Sequence, residues 1–412
     1  MKKKIVIVML LLAILITATS GCKKEEKEKD ISLGNLETVQ LLLWGAKEDE
    51  ALLNKMIQTF QQEYQGQANF QITFAEQGET AYKDTILSGL EESADVFTFA
   101  DDQLSALAAA GALNPVENAD EIKQKNLETA VEAATVRNTL YAYPLTADNG
   151  YFLYYNKRYF TEKDIQTLDR ILEVAAANGG FFSMDWSSAW YVYSFFGNTE
   201  MKVGLKEDGI TNDCTWNRQE GEIRGVDVAQ AMLNIAKQPS FSNRTDEEFL
   251  QGVRDGTVLA GVSGVWNAVA IQEVWGEDTG AAKLPTYTCN DRQIQMASFS
   301  GCKLIGVNAY SEHYDWACKL AEWITNEQNQ KLRFELREQG PSNIQVASSV
   351  EVQQSPAIAA LLEQSEFSQL QRVGGKFWDP VTIFGENMAS GNATGEDLQK
   401  QLDKMVKGIT ER

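Results

Sequence analysis

The sequence contains one histidine, and this scarcity excludes several kinds of catalysis. His313 stands beside Glu312 without a GxSxG or cysteine nucleophile motif, so we expect neither a Ser-His-Asp nor a Cys-His mechanism. A single histidine cannot form the HExxH zinc motif, and no EF-hand spacing occurs. No phosphate loop ending in Gly-Lys-Ser/Thr and no GxGxxG motif is present. We therefore expect no metal, no cofactor and no nucleotide.

Cysteine is also scarce. Besides Cys22 the chain has Cys214, Cys289, Cys302 and Cys318, and no two of them have CxxC spacing. This pattern indicates neither a disulfide framework nor a zinc knuckle. Cys289 and Cys302 could pair across a hairpin. We favour buried free thiols, because free cysteine commonly behaves as a small core hydrophobe.

Positive charge is in deficit, with 37 Lys and Arg against 58 Asp and Glu and a net charge of -21. Removal of a leader that holds three lysines and no acid changes this to -24. The deficit argues against nucleic acid, because that affinity comes largely from Lys and Arg on phosphates. It also argues against a body that lies flat on an anionic membrane.

The apolar run at residues 5–16 is too short to span a bilayer, which takes about 20 residues. It follows three lysines and precedes small or hydroxylated residues at 17–21, which is the layout of a secretory signal peptide at residues 1–21. The small residues directly before Cys22 resemble a lipobox, in which the cysteine becomes a lipidated N-terminus. Thr19 departs from the usual leucine. An ordinary leader with an incidental cysteine is the alternative.

Residues 23–30 (KKEEKEKD) contain no apolar side chain, so this segment is predicted to stay solvated. Residues 22–36 would then be a lipidated cysteine and a charged tether. We expect the protein at the extracellular face of the cytoplasmic membrane, in a Gram-positive-type envelope. The lipid anchor would be its one contact with the membrane.

Strand and helix patterns alternate in the first part of the chain. Strands are predicted at 38–44, 70–74 and 95–99, and helices at 52–60, 82–90 and 104–110. This alternation predicts an α/β fold with mainly parallel sheets flanked by helices. Ligands of such sheets bind beyond the C-terminal ends of the strands, which makes the loops at 44–49 and 99–103 candidate binding sites.

Two further patterns concern helices. Thr245 and Glu248 form a capping box that is predicted to open a helix. Residues 315–337 are predicted to form one long helix, which Gly340 and Pro341 end.

Aromatic residues are concentrated where loops should leave the sheets. The candidates are Trp44, Phe99, Trp186, Trp190, Tyr191, Trp266 and Trp378. The C–H face of a sugar rests on an aromatic ring, and its hydroxyls need carboxylate or amide partners, so this mixture predicts a carbohydrate site. Trp275, Trp316 and Trp323 lie at helical spacing with apolar neighbours and are expected in the core.

Several stretches, in their order and spacing, resemble the family 1 extracellular solute-binding proteins of carbohydrate ABC importers, the maltose-binding-protein-like group. They are QLLLWG, ADVFTFADDQLSALAAAGALNPV, LYAYPLTADNGYFLYYNK, FLQGVRDGTVLAGVSGVW, LPTY and GVNAYS. The resemblance runs from Val39 to Ile409. It implies a periplasmic-binding-protein-like fold of two α/β lobes joined by a hinge of crossing segments. The N-terminal lobe would be 37–147 plus 301–345, and the C-terminal lobe 148–300 plus 346–412.

The resemblance also implies ligand contacts in the N-terminal lobe. Asp102 and Gln103 stand where the group has an Asp-Arg pair on sugar hydroxyls, so the Asp is kept and the Arg is not. Phe99 takes the place of a stacking tryptophan. Lys47 and Glu48 fall in the loop after the first strand, which carries charged sugar contacts in the group.

Further contacts are implied elsewhere in the chain. Asp148 or Asn149 matches an acidic contact in the first crossing segment. Ser188 and Thr382 stand where the group has Glu and Arg. The matching aromatic positions are Trp190, Tyr191, Trp266 and Trp378. Because the aromatic positions are better retained than the polar ones, an oligosaccharide is expected and maltose itself is in question.

The leading hypothesis is a monomeric binding protein, not an enzyme. It would close on an oligosaccharide, with malto-oligosaccharides as the first choice, and deliver it to permease subunits backed by an ATPase. Xylo-, manno- or fructo-oligosaccharides are alternative ligands. A secreted glycoside hydrolase and an adhesin or sensor are alternative functions. Asp101 and Asp102 are the tempting hydrolase pair, but adjacent residues diverge, and the two carboxyls must lie about 5–10 Å apart around one bond. An acidic helix cap is the other interpretation of Asp101.

Overall fold

The computed structural model describes residues 36–411 apart from 78–81, 207 and 209. The signal peptide, Cys22 and residues 23–35 of the tether lie outside the described residues. The strands are β1 (Thr38–Gly45), β2 (Asn69–Glu76), β3 (Val96–Ala100), β4 (Thr135–Val136), β5 (Thr139–Leu140), β6 (Tyr143–Thr146), β7 (Tyr151–Asn156), β8 (Phe181–Ser183), β9 (Val203–Leu205), β10 (Asn212–Cys214), β11 (Phe241–Ser242), β12 (Val258–Gly264), β13 (Thr279–Ala282), β14 (Thr286–Cys289), β15 (Arg292–Gln295), β16 (Ser298–Ser300), β17 (Lys303–Val307) and β18 (Ser368–Leu370).

The α-helices are α1 (Glu50–Glu63), α2 (Tyr82–Ser88), α3 (Leu104–Ala109), α4 (Ala119–Lys125), α5 (Glu128–Ala133), α6 (Leu168–Ala177), α7 (Ala189–Phe196), α8 (Gly225–Ala236), α9 (Asp246–Arg254), α10 (Ala268–Trp275), α11 (Tyr314–Thr325), α12 (Glu327–Arg337), α13 (Ile344–Ala347), α14 (Val350–Gln353), α15 (Pro356–Ser365), α16 (Trp378–Ala389) and α17 (Leu398–Thr410). No helix among the residues described has both the length and the apolarity that crossing a membrane requires.

Two five-stranded sheets organise the part of the chain that the structure describes. One has the order β2-β1-β3-β17-β6 and the other β11-β8-β12-β7-β13. We call the first sheet with its helices the N-lobe and the second the C-lobe. In the N-lobe the apolar positions of α1 recur every three or four residues and are buried, so this helix covers the sheet with one face. In the C-lobe every residue of β7 and β12 is buried, as expected of strands covered on both sides.

Each sheet is mainly parallel, as predicted, with one strand that runs the other way. β17 is antiparallel to β3 and β6, and β7 is antiparallel to β12 and β13. Both strands come directly after the chain has crossed from one lobe to the other. A strand that enters a sheet at the edge where its neighbours end must run antiparallel to them. Accordingly the first residue of β17, Lys303, pairs with the last residue of β3, Ala100.

The segments that cross between the lobes are hydrogen-bonded to one another. Ala147 N donates to Gly340 O at 3.0 Å, and Asn149 N donates to Gly301 O at 3.1 Å. The buried carboxylate of Asp148 accepts a hydrogen bond from Gly340 N. These bonds join the crossing segments into one hinge. Burial raises the pKa of Asp148, and the charge of Lys303 and the hydrogen bond from Gly340 act against that rise.

The two helix predictions had different outcomes. The capping box is confirmed, since Glu248 N donates to Thr245 Oγ1 and Thr245 N donates to the Glu248 carboxylate at 3.0 Å. The single long helix at 315–337 is wrong, because the chain ends α11 and starts α12 at Asn326. The side chain of Asn326 accepts from Asn329 N at 2.8 Å and caps the second helix.

The tryptophans outside the candidate site differ in burial. Trp275 is buried in the C-lobe, as expected, whereas Trp316 and Trp323 are only partly buried and pack against the N-lobe core. Trp216, whose place cannot be assigned from the sequence, is fully buried and stacks on Phe196 at 4.2 Å between ring centroids.

The cysteines of the described residues, Cys214, Cys289, Cys302 and Cys318, are free. Cys289 lies in the C-lobe core and Cys302 in the N-lobe core, which confirms that they are separate thiols.

A buried ion pair joins the start of α1 to α12. The Asp49 carboxylate lies against the guanidinium of Arg333, and Arg337 Nε approaches it at 3.1 Å. Both Asp49 and Arg333 are almost completely buried. Burial alone would raise the pKa of Asp49, but the charges of Arg333, Lys303 and Arg337 lower it below the ordinary value.

Asp49→Asn should reduce the free energy of unfolding by about 3 kcal/mol at pH 7, because it leaves Arg333 buried without its counter-charge. Urea unfolding measures this loss, with Glu50→Gln on the exposed neighbouring residue as the control. Because the folded pKa is lowered, the difference from wild type should be complete above pH about 4 and should disappear as the pH falls through the pKa of folded Asp49. An equal loss in both variants would contradict this role.

Candidate functional site

Predicted site residues lie on short turns of 3-10 helix. Such turns, at Lys47–Asp49, Asp101–Gln103 and Val265–Asn267, follow β1, β3 and β12 directly, and another at Gly375–Phe377 precedes α16. The ends of β3 and β12 pair with the first residues of β17 and β7, which follow the crossing segments. The sheet edges that carry these turns therefore adjoin the hinge from both lobes.

On the C-lobe side, a chain of ring contacts connects several predicted aromatic residues. We call these rings the aromatic wall: Tyr151, Trp190, Tyr191, Phe299, Phe377 and Trp378. Their successive centroids lie 4.9–5.7 Å apart. Trp190 and Trp378 are partly exposed, whereas Phe299 and Phe377 are buried behind them. The wall therefore presents flat apolar surfaces on a packed support, which is what a sugar ring requires.

Trp266 joins this wall through the carboxylate of Asp246. Trp266 Nε1 donates to Asp246 Oδ2 at 3.2 Å, and Tyr191 Oη lies 3.3 Å from both Asp246 oxygens. Ser263 Oγ and Asn267 Nδ2 donate to Oδ1 at 3.0 and 3.4 Å. Burial raises the pKa of Asp246, while the bonds from Ser263, Trp266 and Tyr191 counteract the rise. One carboxylate thus ties β12, α7 and α9 together.

An ion pair connects the N-lobe turn to the C-lobe. Arg372 approaches Asp101 Oδ2 at 3.0 Å, and Asp101 Oδ1 accepts from Cys302 N at 3.0 Å. The side chain of Asp101 is 1% exposed and that of Arg372 is 34% exposed. Arg372 belongs to the C-lobe side, because its carbonyl accepts from Leu205 N at 3.1 Å. Burial raises the pKa of Asp101, and the charge of Arg372 opposes this rise.

Three predicted residues are enclosed in this conformation. Phe99 and Trp186 are both 0% exposed, in the cores of the N-lobe and the C-lobe. Trp186 packs against Phe195 and Phe241. Fully enclosed rings offer no face to a sugar. The Asp148 carboxylate is enclosed in the hinge, as described above.

The other predicted residues differ in accessibility. Lys47 and Glu48 are exposed. Trp44, Asp102 and Asn149 are partly exposed. Gln103 and Tyr191 are buried, and Tyr191 contributes through its contacts with Tyr151 and Asp246.

Two residues that organise this candidate site are not predicted from the sequence. Asp246 belongs to the stretch TDEE that begins a helix, a pattern that a cap explains completely. Arg372 lies in a loop without a motif. The position of Asp246, one residue after the Thr245 cap, is the one feature that distinguishes it in the sequence. Nothing in the sequence indicates that it contacts Trp266.

Among the residues that the structure describes, no group of three or more His, Cys, Asp or Glu side chains could hold a metal ion. His313 lies away from these turns, with Nδ1 3.2 Å from the carboxylate of Glu37.

Comparison with known proteins gives consistent matches. Residues 55–360 match the family of bacterial extracellular solute-binding proteins. The galactooligosaccharide-binding protein of Bacillus subtilis (strain 168) is 25% identical over 406 residues, which cover 95% of this chain and 93% of that protein. A solved structure with acarbose is 27% identical, has a TM-score of 0.80, and covers 90% of this chain and 99% of its own. The ligand-free maltodextrin-binding protein of L. casei BL23 is 23% identical, has a TM-score of 0.76, and covers 92% and 100%.

Arg372→Gln should reduce the free energy of unfolding by about 1–3 kcal/mol, between the values typical of exposed and buried ion pairs, because it leaves Asp101 buried and unpaired. Urea unfolding measures this effect. Adding Asp101→Asn to this variant should reduce the free energy of unfolding by less than the same substitution does in wild type, since no buried charge then remains unpaired. Strictly additive losses would contradict the pairing.

Proposed function

Because the chain belongs to the bacterial extracellular solute-binding protein family, we propose that it captures an oligosaccharide between its two lobes and delivers it to the permease of an ABC importer. The observation that carries this proposal is the aromatic wall with Trp266, at the sheet edge that adjoins the hinge. The partly exposed rings suit the apolar C–H face of a sugar, and the carboxylates and amides beside them suit its hydroxyls.

The names of two relatives support two ligand classes. The Bacillus subtilis relative is named for galactooligosaccharides, and the L. casei structure for maltodextrin. We propose malto-oligosaccharides as the first choice and galacto-oligosaccharides as the second. Aromatic stacking surfaces suit both classes, so the polar contacts must decide between them. Asp102 and Asn149, both partly exposed near the hinge, are proposed to bind hydroxyls, and Lys47 and Glu48 to line the rim.

Capture requires that the two lobes move relative to each other. The hinge is made of short crossing segments, and the N-lobe turn at Asp101–Gln103 touches the C-lobe through Arg372. A sugar that contacts the turns of one lobe and the wall of the other binds the closed arrangement better than an open one. Only this difference in affinity shifts the population toward closure. The permease would then recognise the closed form, and its ATPase would drive transport.

We further propose that Cys22 anchors the protein to the membrane through lipid, with residues 23–36 as the tether. Cys22→Ala should move the protein from the membrane fraction of the cells to the culture medium, because the body then has no anchor. Immunoblots of both fractions measure this change. Cys214→Ala, a buried thiol of the C-lobe, should leave the distribution unchanged. Retention of the Cys22→Ala protein in the membrane fraction would contradict the anchor.

Intrinsic tryptophan fluorescence should change when the wild-type protein meets its ligand in a panel of malto-, galacto-, xylo-, manno- and fructo-oligosaccharides. Trp266→Ala should weaken binding by about 1–3 kcal/mol while the protein remains folded, because a stacking surface is lost. Trp316→Ala, which changes a residue packed against the N-lobe core, is the control and should keep wild-type affinity. The sugars should be recovered intact. Unchanged fluorescence with every sugar of the panel, or hydrolysis of a sugar, would contradict the proposed function.

A further inference from the structure

The side chain of Trp266 is held on two sides before any sugar arrives. On one side its Nε1 donates to Asp246 Oδ2 at 3.2 Å. On the other side its six-membered ring lies directly over Gly264, where an added Cβ would come within 2.0 Å of a ring carbon. The carbonyl of Gly264 accepts from Tyr154 Oη at 3.1 Å, which fixes the backbone beneath the ring.

The carboxylate of Asp246 is fully engaged by donors from the protein. It accepts from Trp266, Tyr191, Ser263 and Asn267. A carboxylate has about four acceptor positions, so these donors occupy them and leave none for a sugar hydroxyl. Hydrogen bonds to an ionised acceptor are stronger than those between neutral groups. Asp246 is therefore suited to holding side chains in place and not to binding the ligand itself.

We propose that Asp246 is a positioning residue that, with Gly264, locks the Trp266 ring as a preformed sugar platform and aligns it with Tyr191 of the aromatic wall. This inference rests on the proposed function and deepens it. A ring that is already immobile loses little conformational freedom when a sugar stacks on it, which raises affinity. The fixed angle between Trp266 and the wall also selects sugars whose successive rings match that angle.

Asp246→Asn is the principal test. An amide at this position has one oxygen and a hydrogen-bearing nitrogen, so it cannot accept bonds from all four donors. The dissociation constant, measured by calorimetry with maltotetraose and with a β-1,4-galactotriose, should rise roughly tenfold for the sugar that binds wild type, as expected for the loss of a charge-assisted hydrogen bond. Gly264→Ala should weaken binding similarly by displacing the ring. Glu247→Gln, which removes an exposed charge from the same helix turn, should leave the constant unchanged.

A measurement without sugar separates the positioning role from the proposed function. The signal of Trp266 is the difference in fluorescence and near-ultraviolet circular dichroism between each protein and its Trp266→Phe counterpart. Asp246→Asn should shift this signal and increase its quenching by acrylamide, and Glu247→Gln should do neither. An unchanged Trp266 signal overturns the positioning role, as does a changed signal with unchanged affinity. If the wild-type protein binds neither maltotetraose nor the β-1,4-galactotriose, that result would instead count against the ligand classes proposed above.

Discussion

The hydrogen bonds among the crossing segments are the constraint on which the rest of the architecture depends. The bonds from Ala147 to Gly340 and from Asn149 to Gly301, with the buried carboxylate of Asp148, hold the crossings together. Because the chain enters each sheet from this hinge, β7 and β17 must run against their neighbours. The C-terminal ends of the other strands then adjoin the hinge from both lobes. The location of the candidate site follows from that arrangement.

The two lobes make different contributions to the site. The C-lobe provides packed aromatic surface, in which Trp190 and Trp378 rest on buried rings and Trp266 is fixed by Asp246. The N-lobe provides charged and amide groups on turns after β1 and β3. Arg372 connects these halves by reaching the buried Asp101. Apolar stacking on one side and hydroxyl partners on the other would make a sugar bind best when both lobes touch it.

Much of the fold could be predicted from the sequence, because the strands and helices of the first lobe have clear apolar periods. The long helix could not be divided correctly, since residues 326–331 are polar but contain neither glycine nor proline, so the sequence does not show that Asn326 ends one helix and caps the next. At the candidate site, prediction from the sequence was limited mainly because the sequence does not show which way a side chain points. Phe99 and Trp186 have the residue types of a sugar site, but a strand or loop position does not reveal which face a ring takes. Asp246 and Arg372 act through contacts with residues 17 or more positions away, which no local pattern records.

Small-angle X-ray scattering combined with calorimetry tests whether the two lobes close on the ligand. The radius of gyration of wild type should fall when a sugar that calorimetry shows to bind is added to saturation, and should stay constant with a sugar that does not bind. The decrease should follow the same saturation curve as the heat of binding. Saturable binding with no change in the radius of gyration would contradict capture between moving lobes.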